Sequence, residues 1–120
     1  MAAHILVVED SRLVTSAFRI LLEDSGYRVS IAESVKEMIA CAGAEKIDLM
    51  LLDLTLPDGN GLEALRELTE RGARPGITLA MTGDDQPATR KRCLEAGCAD
   101  VLVKPVSIKE LRRIIAAQLG

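Results

Sequence analysis

Short apolar runs alternate with longer amphipathic segments five times along this chain. Four of the runs are almost continuously apolar, which is typical of parallel strands that helices cover on both faces. The second run alternates polar with apolar residues, which favours an edge strand. The runs are residues 5–8, 27–31, 49–52, 77–81 and 101–103. The pattern therefore predicts five strands, with the second strand at an edge of the sheet.

The segments between these runs carry helix start and stop signals. Serine and proline are favoured at helix starts because one supplies a side-chain acceptor and the other needs no N–H donor. Glycine is favoured just past a helix end. The signals are Ser11, Ser34 with Glu37, Pro87 and Ser107 with Glu110 as starts, and Gly26 and Gly97 as stops. Apolar stripes at helical spacing are Leu62, Leu65 and Leu68, and then Ile108, Leu111, Ile115 and Leu119.

The order of these elements is a strand followed by a helix, repeated five times. This (βα)5 order predicts right-handed crossovers and an α/β fold with a doubly wound, five-stranded parallel sheet. We expect one domain spanning residues 1–120, because no long linker, internal repeat or low-complexity tract interrupts the pattern.

Composition excludes several classes of function. Aromatic residues are 2% of the 120 and the net charge is −3, so a base-stacking surface or a general attraction to nucleic acid is not expected. Three cysteines without a C-x-x-C spacing, with one histidine, argue against a disulfide framework and a zinc site. No apolar run approaches the roughly 18 residues of a membrane span. We expect a cytoplasmic protein that does not enter a membrane.

The chemistry of this sheet should lie at the carboxyl ends of its strands, where open α/β sheets bind ligands. Polar residues follow four of the five predicted strands: Glu9 and Asp10, Asp53, Thr82, and Lys104. Three carboxylates in one small site repel each other, and a hard divalent cation relieves that repulsion. Oxygen ligands of this kind favour magnesium. The sequence therefore predicts a magnesium site at this edge.

The same residues carry a resemblance to a known family. The blocks are Val7-Val8-Glu9-Asp10, residues 51–61 (LLDLTLPDGNG), Met81-Thr82-Gly83 and Val103-Lys104-Pro105. All four in this order resemble the receiver domain of two-component response regulators, and the likeness covers essentially the whole chain. It implies the flavodoxin-like strand order 2-1-3-4-5 of single-domain chemotaxis regulators. It also implies a bacterial phosphorelay module that catalyses only its own phosphorylation and dephosphorylation.

The resemblance assigns a role to each site residue. Asp53 matches the aspartate that accepts a phosphoryl group from a histidine kinase or a histidine phosphotransfer protein. Glu9 and Asp10 match the pair that holds magnesium, Asp10 directly and Glu9 partly through water. Asp53 and the backbone carbonyl of Thr55 complete the protein's ligands. Thr82 and Lys104 match the hydroxyl and the ammonium that bind the phosphoryl group.

Three further positions have counterparts in the family. The bond before Pro105 resembles one that is cis in relatives. Thr55 and Asp84 match the positions that tune the lifetime of the phosphoryl group. Val101 departs from the pattern, because relatives commonly carry an aromatic switch residue there. In relatives that aromatic residue is coupled to the position of Thr82, and Val101 puts this coupling in question but not phosphorylation.

Two other functions fit the same architecture. A haloacid-dehalogenase-like phosphohydrolase also forms an aspartyl phosphate, but it typically has an acid two residues after its nucleophile, where this chain has Thr55. A phosphorylation-independent interaction domain is the other alternative. A nucleotide switch is excluded because no phosphate-binding glycine loop follows the first strand.

The sequence does not identify an output partner. We expect the partner to bind a surface formed by the fourth helix, the fifth strand and the last helix, which carry the basic residues Arg90-Lys91-Arg92 and Arg112-Arg113.

Overall fold

Five parallel strands form one sheet in the computed structural model, which describes residues 2–120. The strands are β1 (His4–Val8), β2 (Arg28–Ala32), β3 (Leu49–Asp53), β4 (Ile77–Thr82) and β5 (Asp100–Val103). Their order across the sheet is β2-β1-β3-β4-β5, which confirms the predicted topology and the edge position of the second strand. The boundaries differ from those predicted by at most one residue.

Five helices connect and follow the strands. They are α1 (Arg12–Asp24), α2 (Val35–Ala44), α3 (Gly61–Glu70), α4 (Pro87–Glu95) and α5 (Ile108–Leu119). A short antiparallel hairpin, with arms Thr55–Leu56 and Gly59–Asn60, lies between β3 and α3. In the described part of the chain, no helix has the length and apolar character needed to cross a bilayer.

The predicted helix signals are confirmed by their hydrogen bonds. The hydroxyls of Ser11, Ser34 and Ser107 each accept a backbone N–H from the first turn of the following helix. Gly26 and Gly97 have φ of +93° and +98°, in the left-handed region that glycine adopts without a Cβ penalty. These local signals therefore set both ends of α1 and the end of α4.

Two apolar layers bury the two faces of the sheet. On one face, alternate strand residues such as Leu6 and Leu52 pack against α2, α3 and α4. On the other face, residues such as Ile5 and Leu51 pack against α1 and α5. Burial on both faces explains why most strands are continuously apolar.

The predicted apolar stripe of α5 is only partly buried. Leu111 and Ile115 are fully buried, whereas Ile108 is 51% exposed at the start of the helix. The helical period identifies the inner side of a helix, but it does not show how far the underlying sheet extends. Ile108 lies at the end of α5 nearest the candidate site, where it lines a groove instead of the core.

Candidate functional site

Three carboxylates meet at the carboxyl edge of the sheet. Glu9 and Asp10 follow β1 directly, and Asp53 is the last residue of β3, the neighbouring strand. One oxygen from each carboxylate lies within 4.8 Å of the others. Glu9 and Asp53 are buried, whereas Asp10 is exposed. The strand order therefore brings together the acids that the sequence predicted at one edge.

Lys104 crosses this cluster from the end of β5. Its Nζ donates hydrogen bonds to Glu9 Oε1 and to Asp53 Oδ2, both at 2.9 Å. The Lys104–Pro105 peptide bond is cis, which confirms the prediction. One ammonium thus stands between two buried carboxylates and supplies their only ion pairs among residues 2–120.

Burial and Lys104 set the protonation of the site. Burial raises the pKa of Asp53, and the hydrogen bonds from Lys104 and the Thr55 N–H offset this only in part. Burial also opposes ionisation of Glu9, but bonds from Lys104 and the Ser11 N–H outweigh it and lower the pKa of Glu9. Burial would lower the pKa of Lys104, yet its bonds to Asp53 and Glu9 raise it. Lys104 is therefore a stable cation at neutral pH.

The donor set fits a magnesium ion. The acidic side chains offer only oxygen, which is the ligand type that Mg²⁺ prefers. Glu9 is already engaged at both oxygens, since Oε1 accepts from Lys104 and Oε2 accepts from the Ser11 N–H at 3.0 Å. Asp10 is exposed and forms no ion pair within the described residues. This difference supports Asp10 as a direct ligand and Glu9 as a ligand through water.

The loop after Asp53 is packed tightly against it. The Thr55 N–H donates to Asp53 Oδ1 at 3.1 Å, and the Gly61 N–H donates to the Leu54 carbonyl at 2.9 Å. A Cβ on Gly61 would lie 2.5 Å from the Asp53 carbonyl oxygen, so only glycine allows this approach. The Thr55 carbonyl as a metal ligand stays a prediction.

Two residues of this loop have roles that the sequence interpretation missed. Asp58 accepts the N–H groups of Val35 and Lys36, at 2.7 and 3.1 Å, and so joins the loop to the start of α2. Asn60 is the N-cap of α3 and accepts the N–H groups of residues 62 and 63. Asn60 followed three residues later by Glu63 has capping-box spacing, so this signal was present in the sequence.

Thr82 completes the edge at the end of β4. It is 8% exposed, and its hydroxyl accepts the Asp84 N–H at 3.0 Å. Val101 lies on the neighbouring strand, β5, half-buried against the apolar layer beneath α4 that includes Cys93. A buried hydroxyl therefore connects the site to the loop before α4.

A groove of about 690 Å³ opens beside the carboxylates. Glu9, Asp10 and Lys104 line it together with apolar side chains of α1, of the end of β4, of the loop after β5 and of the start of α5. Leu13 is 84% exposed and Ile108 is 51% exposed along this groove. An apolar surface therefore adjoins the polar site.

The fold and the site together define a doubly wound α/β domain with an acidic cluster and a lysine at its carboxyl edge. The sequence model of the response regulator receiver domain matches residues 5–116, so the chain belongs to that family.

Relatives in sequence are longer than this chain. It is 38% identical over 109 residues to the KDP operon transcriptional regulatory protein KdpE of Escherichia coli, covering 91% of this chain and 48% of that protein. It is also 38% identical over 107 residues to the transcriptional regulatory protein ResD of Bacillus subtilis, covering 89% and 44%. The chain thus spans about half the length of these relatives.

Solved structures show the same fold along the whole chain. The chemotaxis protein CheY4 of Vibrio cholerae has a TM-score of 0.90 at 24% identity, covering 98% of both chains. The receiver domain of a sensor histidine kinase from Pseudomonas aeruginosa has a TM-score of 0.86 at 30% identity, covering 100% of this chain and 99% of that one. That structure contains a magnesium ion coordinated in its active site cleft.

Proposed function

We propose that this chain is a phosphoacceptor that takes a phosphoryl group on Asp53 in a magnesium-dependent reaction and thereby changes its binding of a partner. The observation that carries the proposal is the contact of Asp53 with Lys104 inside the acidic cluster at the carboxyl edge. Lys104 bonds both Glu9 and Asp53, and of these two carboxylates Asp53 is the one that ends a central strand and is followed by the tightly packed loop.

The reaction is a phosphoryl transfer between two nucleophiles. A carboxylate oxygen of Asp53 attacks the phosphorus of a phosphohistidine on the donor, so that an O–P bond forms while the N–P bond breaks. The donor imidazole leaves with the electron pair. Lys104 Nζ and the Thr82 hydroxyl then donate hydrogen bonds to the phosphoryl oxygens.

Charge neutralisation explains the ligand set of the proposal. Magnesium, when bound, supplies positive charge to the phosphoryl oxygens and to the crowded carboxylates. Asp10 and Asp53 would hold it directly, with Glu9 acting through water and the Thr55 carbonyl as the remaining protein ligand. Lys104 keeps the buried Glu9 charge paired throughout.

Labelling with a small phosphodonor tests the proposal. Acetyl phosphate with magnesium should add one phosphoryl group to the chain, measured by intact mass. Asp53→Asn should abolish the addition, because the amide keeps the shape but loses the nucleophilic carboxylate. Asp85→Asn, the same change at an exposed loop position, is the matched control and should label like the wild type. Equal labelling of Asp53→Asn and wild type would refute the proposal.

The protein donor is proposed to be a histidine kinase or a histidine phosphotransfer protein. Such a donor must bring its phosphohistidine to Asp53, so it has to cover the surface next to the carboxylates. The groove with exposed Leu13 and Ile108 is that surface. Leu13→Ser should slow transfer from a protein donor about tenfold or more and leave labelling by acetyl phosphate unchanged. Equal slowing with both donors would place the effect at the site instead.

The proposal also covers the domain organisation, the cellular location and the output partner. Residues 1–120 act as one receiver domain in the bacterial cytoplasm, with no separate substrate and no direct contact with nucleic acid. The output partner binds the surface formed by α4, β5 and α5. In support, Arg90, Lys91, Arg112 and Arg113 are exposed on these helices, as is Val103 on β5.

A further inference from the structure

Helix α4 is attached to the sheet by very little apolar surface. Its only buried residues are Thr89 and Cys93, whereas α1 buries four residues, including Phe18 and Leu22. Leu94, the largest apolar residue of α4, is 42% exposed. The position of α4 must therefore depend strongly on how its two ends are held.

At the N-terminal end, Asp84 holds the helix. Its Oδ1 accepts the Gln86 N–H at 2.9 Å, and its Oδ2 accepts the Thr89 hydroxyl at 2.5 Å. Gln86 is the N-cap residue but makes no side-chain cap bond, so the Asp84 carboxylate takes that place. The Thr89 bond is the main cause that lowers the pKa of Asp84, followed by the Gln86 N–H.

At the C-terminal end, Arg74 holds the helix. Its guanidinium donates to the carbonyls of Ala96 and Gly97, at 3.1 and 2.7 Å, and to the Thr69 hydroxyl of α3. Ala96 is the C-cap residue, so its carbonyl is among those that a helix leaves without a partner, and a cation there also suits the helix dipole. The C-terminal end of α4 is thus fixed to α3.

Only the N-terminal end is connected to the candidate site. The Asp84 N–H donates to Thr82 Oγ1, and Thr82 ends the strand beside Asp53. If Thr82 turns about χ1 to donate to a phosphoryl group on Asp53, the Asp84 N–H loses its acceptor. The backbone that carries the Asp84 carboxylate is then free to move, and the Thr89 bond with it.

We propose that Asp84 and Thr89 form a latch that Thr82 opens, so that α4 swings at its N-terminal end about a pivot at Arg74. Thr89 is a positioning residue, since it acts by fixing the Asp84 carboxylate. This inference rests on the proposed phosphoacceptor role of Asp53. It predicts that residues 84–92 move and that the C-terminal end of α4 stays in place.

Hydrogen exchange measured at individual amides tests both ends. The full chain is compared with and without beryllofluoride and magnesium, the phosphoryl mimic at Asp53. The amides of residues 90 and 91 report the N-terminal end, and those of Gly97 and Cys98 report the C-terminal end. In the wild type, the mimic should speed exchange at 90 and 91 about tenfold and change it less than about twofold at 97 and 98. An equal increase at both ends would overturn the pivot.

Paired variants test the latch. Thr89→Val keeps the shape but removes the hydroxyl, so exchange at 90 and 91 should already be fast without the mimic. Thr89→Ser keeps the hydroxyl, so exchange at 90 and 91 should be slow without the mimic and should speed up when the mimic is added, as in the wild type. Asp84→Ala, at an exposed position, should behave like Thr89→Val, and it decides the question if the valine variant does not fold. Slow exchange and a full response in Asp84→Ala would overturn the latch.

The pivot has its own variant. Arg74→Met keeps the aliphatic stem but removes the guanidinium, so the response to the mimic should spread to Gly97 and Cys98. A response still confined to 90 and 91 would overturn the role of Arg74.

Labelling by acetyl phosphate separates the two proposals. A wild-type chain that takes no phosphoryl group on Asp53 refutes the proposed function and this inference with it. A chain that labels on Asp53 but shows no change of exchange at 90 and 91 refutes the inference alone.

Discussion

Lys104 Nζ lies 2.9 Å from Asp53 Oδ2 and is the hydrogen-bond donor that joins the end of β5 to the end of β3. The same ammonium donates to Glu9, so two buried carboxylates share one cation whose side chain is 33% exposed. The charge balance of the site without metal therefore rests on Lys104.

Replacing Lys104 with methionine should make stability depend on magnesium. Without metal, two buried carboxylates lose their only cation, and the free energy of unfolding should fall by about 2 to 4 kcal/mol, a range reduced for the partial exposure of Lys104. Saturating magnesium should recover most of this loss, because the ion supplies the missing charge. Urea unfolding with a chelator and with magnesium measures both values. Lys109→Met, at an exposed position on α5, is the control and should change stability by less than about 0.5 kcal/mol. A loss in Lys104→Met that magnesium does not reduce would contradict this account.

The two neighbouring acids should differ in their effect on metal affinity. Asp10→Asn should weaken magnesium binding about tenfold or more, roughly 1.4 kcal/mol, because Asp10 is exposed and has no ion pair within residues 2–120. Glu9→Gln should weaken it less, because both Glu9 oxygens already accept hydrogen bonds. Calorimetric titration with magnesium compares the two variants. A larger effect of Glu9→Gln would reverse the assignment within the pair.

Much of the fold could be predicted because the pattern has a direct physical cause. A strand buried on both faces has to be apolar at successive positions, so four strands were evident from their sequence. The site followed from topology, since parallel strands bring their carboxyl ends to one edge whatever the distance along the chain. The strand order alone is enough to place four residues at that edge: Asp10, Asp53, Thr82 and Lys104.

Contacts between side chains distant in sequence could not be predicted in the same way. In the sequence, Asp58 is only one residue of the block 51–61, yet in the structure it accepts two N–H groups at the start of α2. Nothing in the local pattern around Asp58 indicates that α2 begins beside it. Depth of burial is a similar case, because helical spacing places Ile108 on an apolar stripe although it is 51% exposed.

Two glycines near the site should respond differently to alanine. Gly61→Ala places a Cβ 2.5 Å from the Asp53 carbonyl oxygen and 3.1 Å from Leu54 Cα, so backbone must move and stability should fall by about 2 to 4 kcal/mol. A Cβ at Gly83 meets no atom within 4 Å, so Gly83→Ala should leave stability within about 0.5 kcal/mol. We still expect Gly83→Ala to slow labelling by acetyl phosphate, because we propose that the phosphoryl group uses the open space at Gly83, next to Thr82. Unfolding and labelling rates are measured on both variants. Wild-type labelling in Gly83→Ala would show that this space is not used.

Cys98 should make the protein less stable in alkali. Burial raises the pKa of its thiol from 9.0 to about 11, and the nearby Cys93 adds to the shift. Between these two pH values the unfolded chain loses the proton while the folded chain keeps it, so the free energy of unfolding falls as pH rises. The two pKa values bound this loss at about 3 kcal/mol, since each pKa unit corresponds to about 1.4 kcal/mol. Urea unfolding from pH 8 to pH 11, in Cys98→Ala and wild type, isolates the contribution as a difference of slopes. Cys41→Ala is the matched control and should change the slope less, because Cys41 is only partly buried. An identical slope in Cys98→Ala and wild type would show that the folded chain does not hold this proton more tightly than the unfolded one.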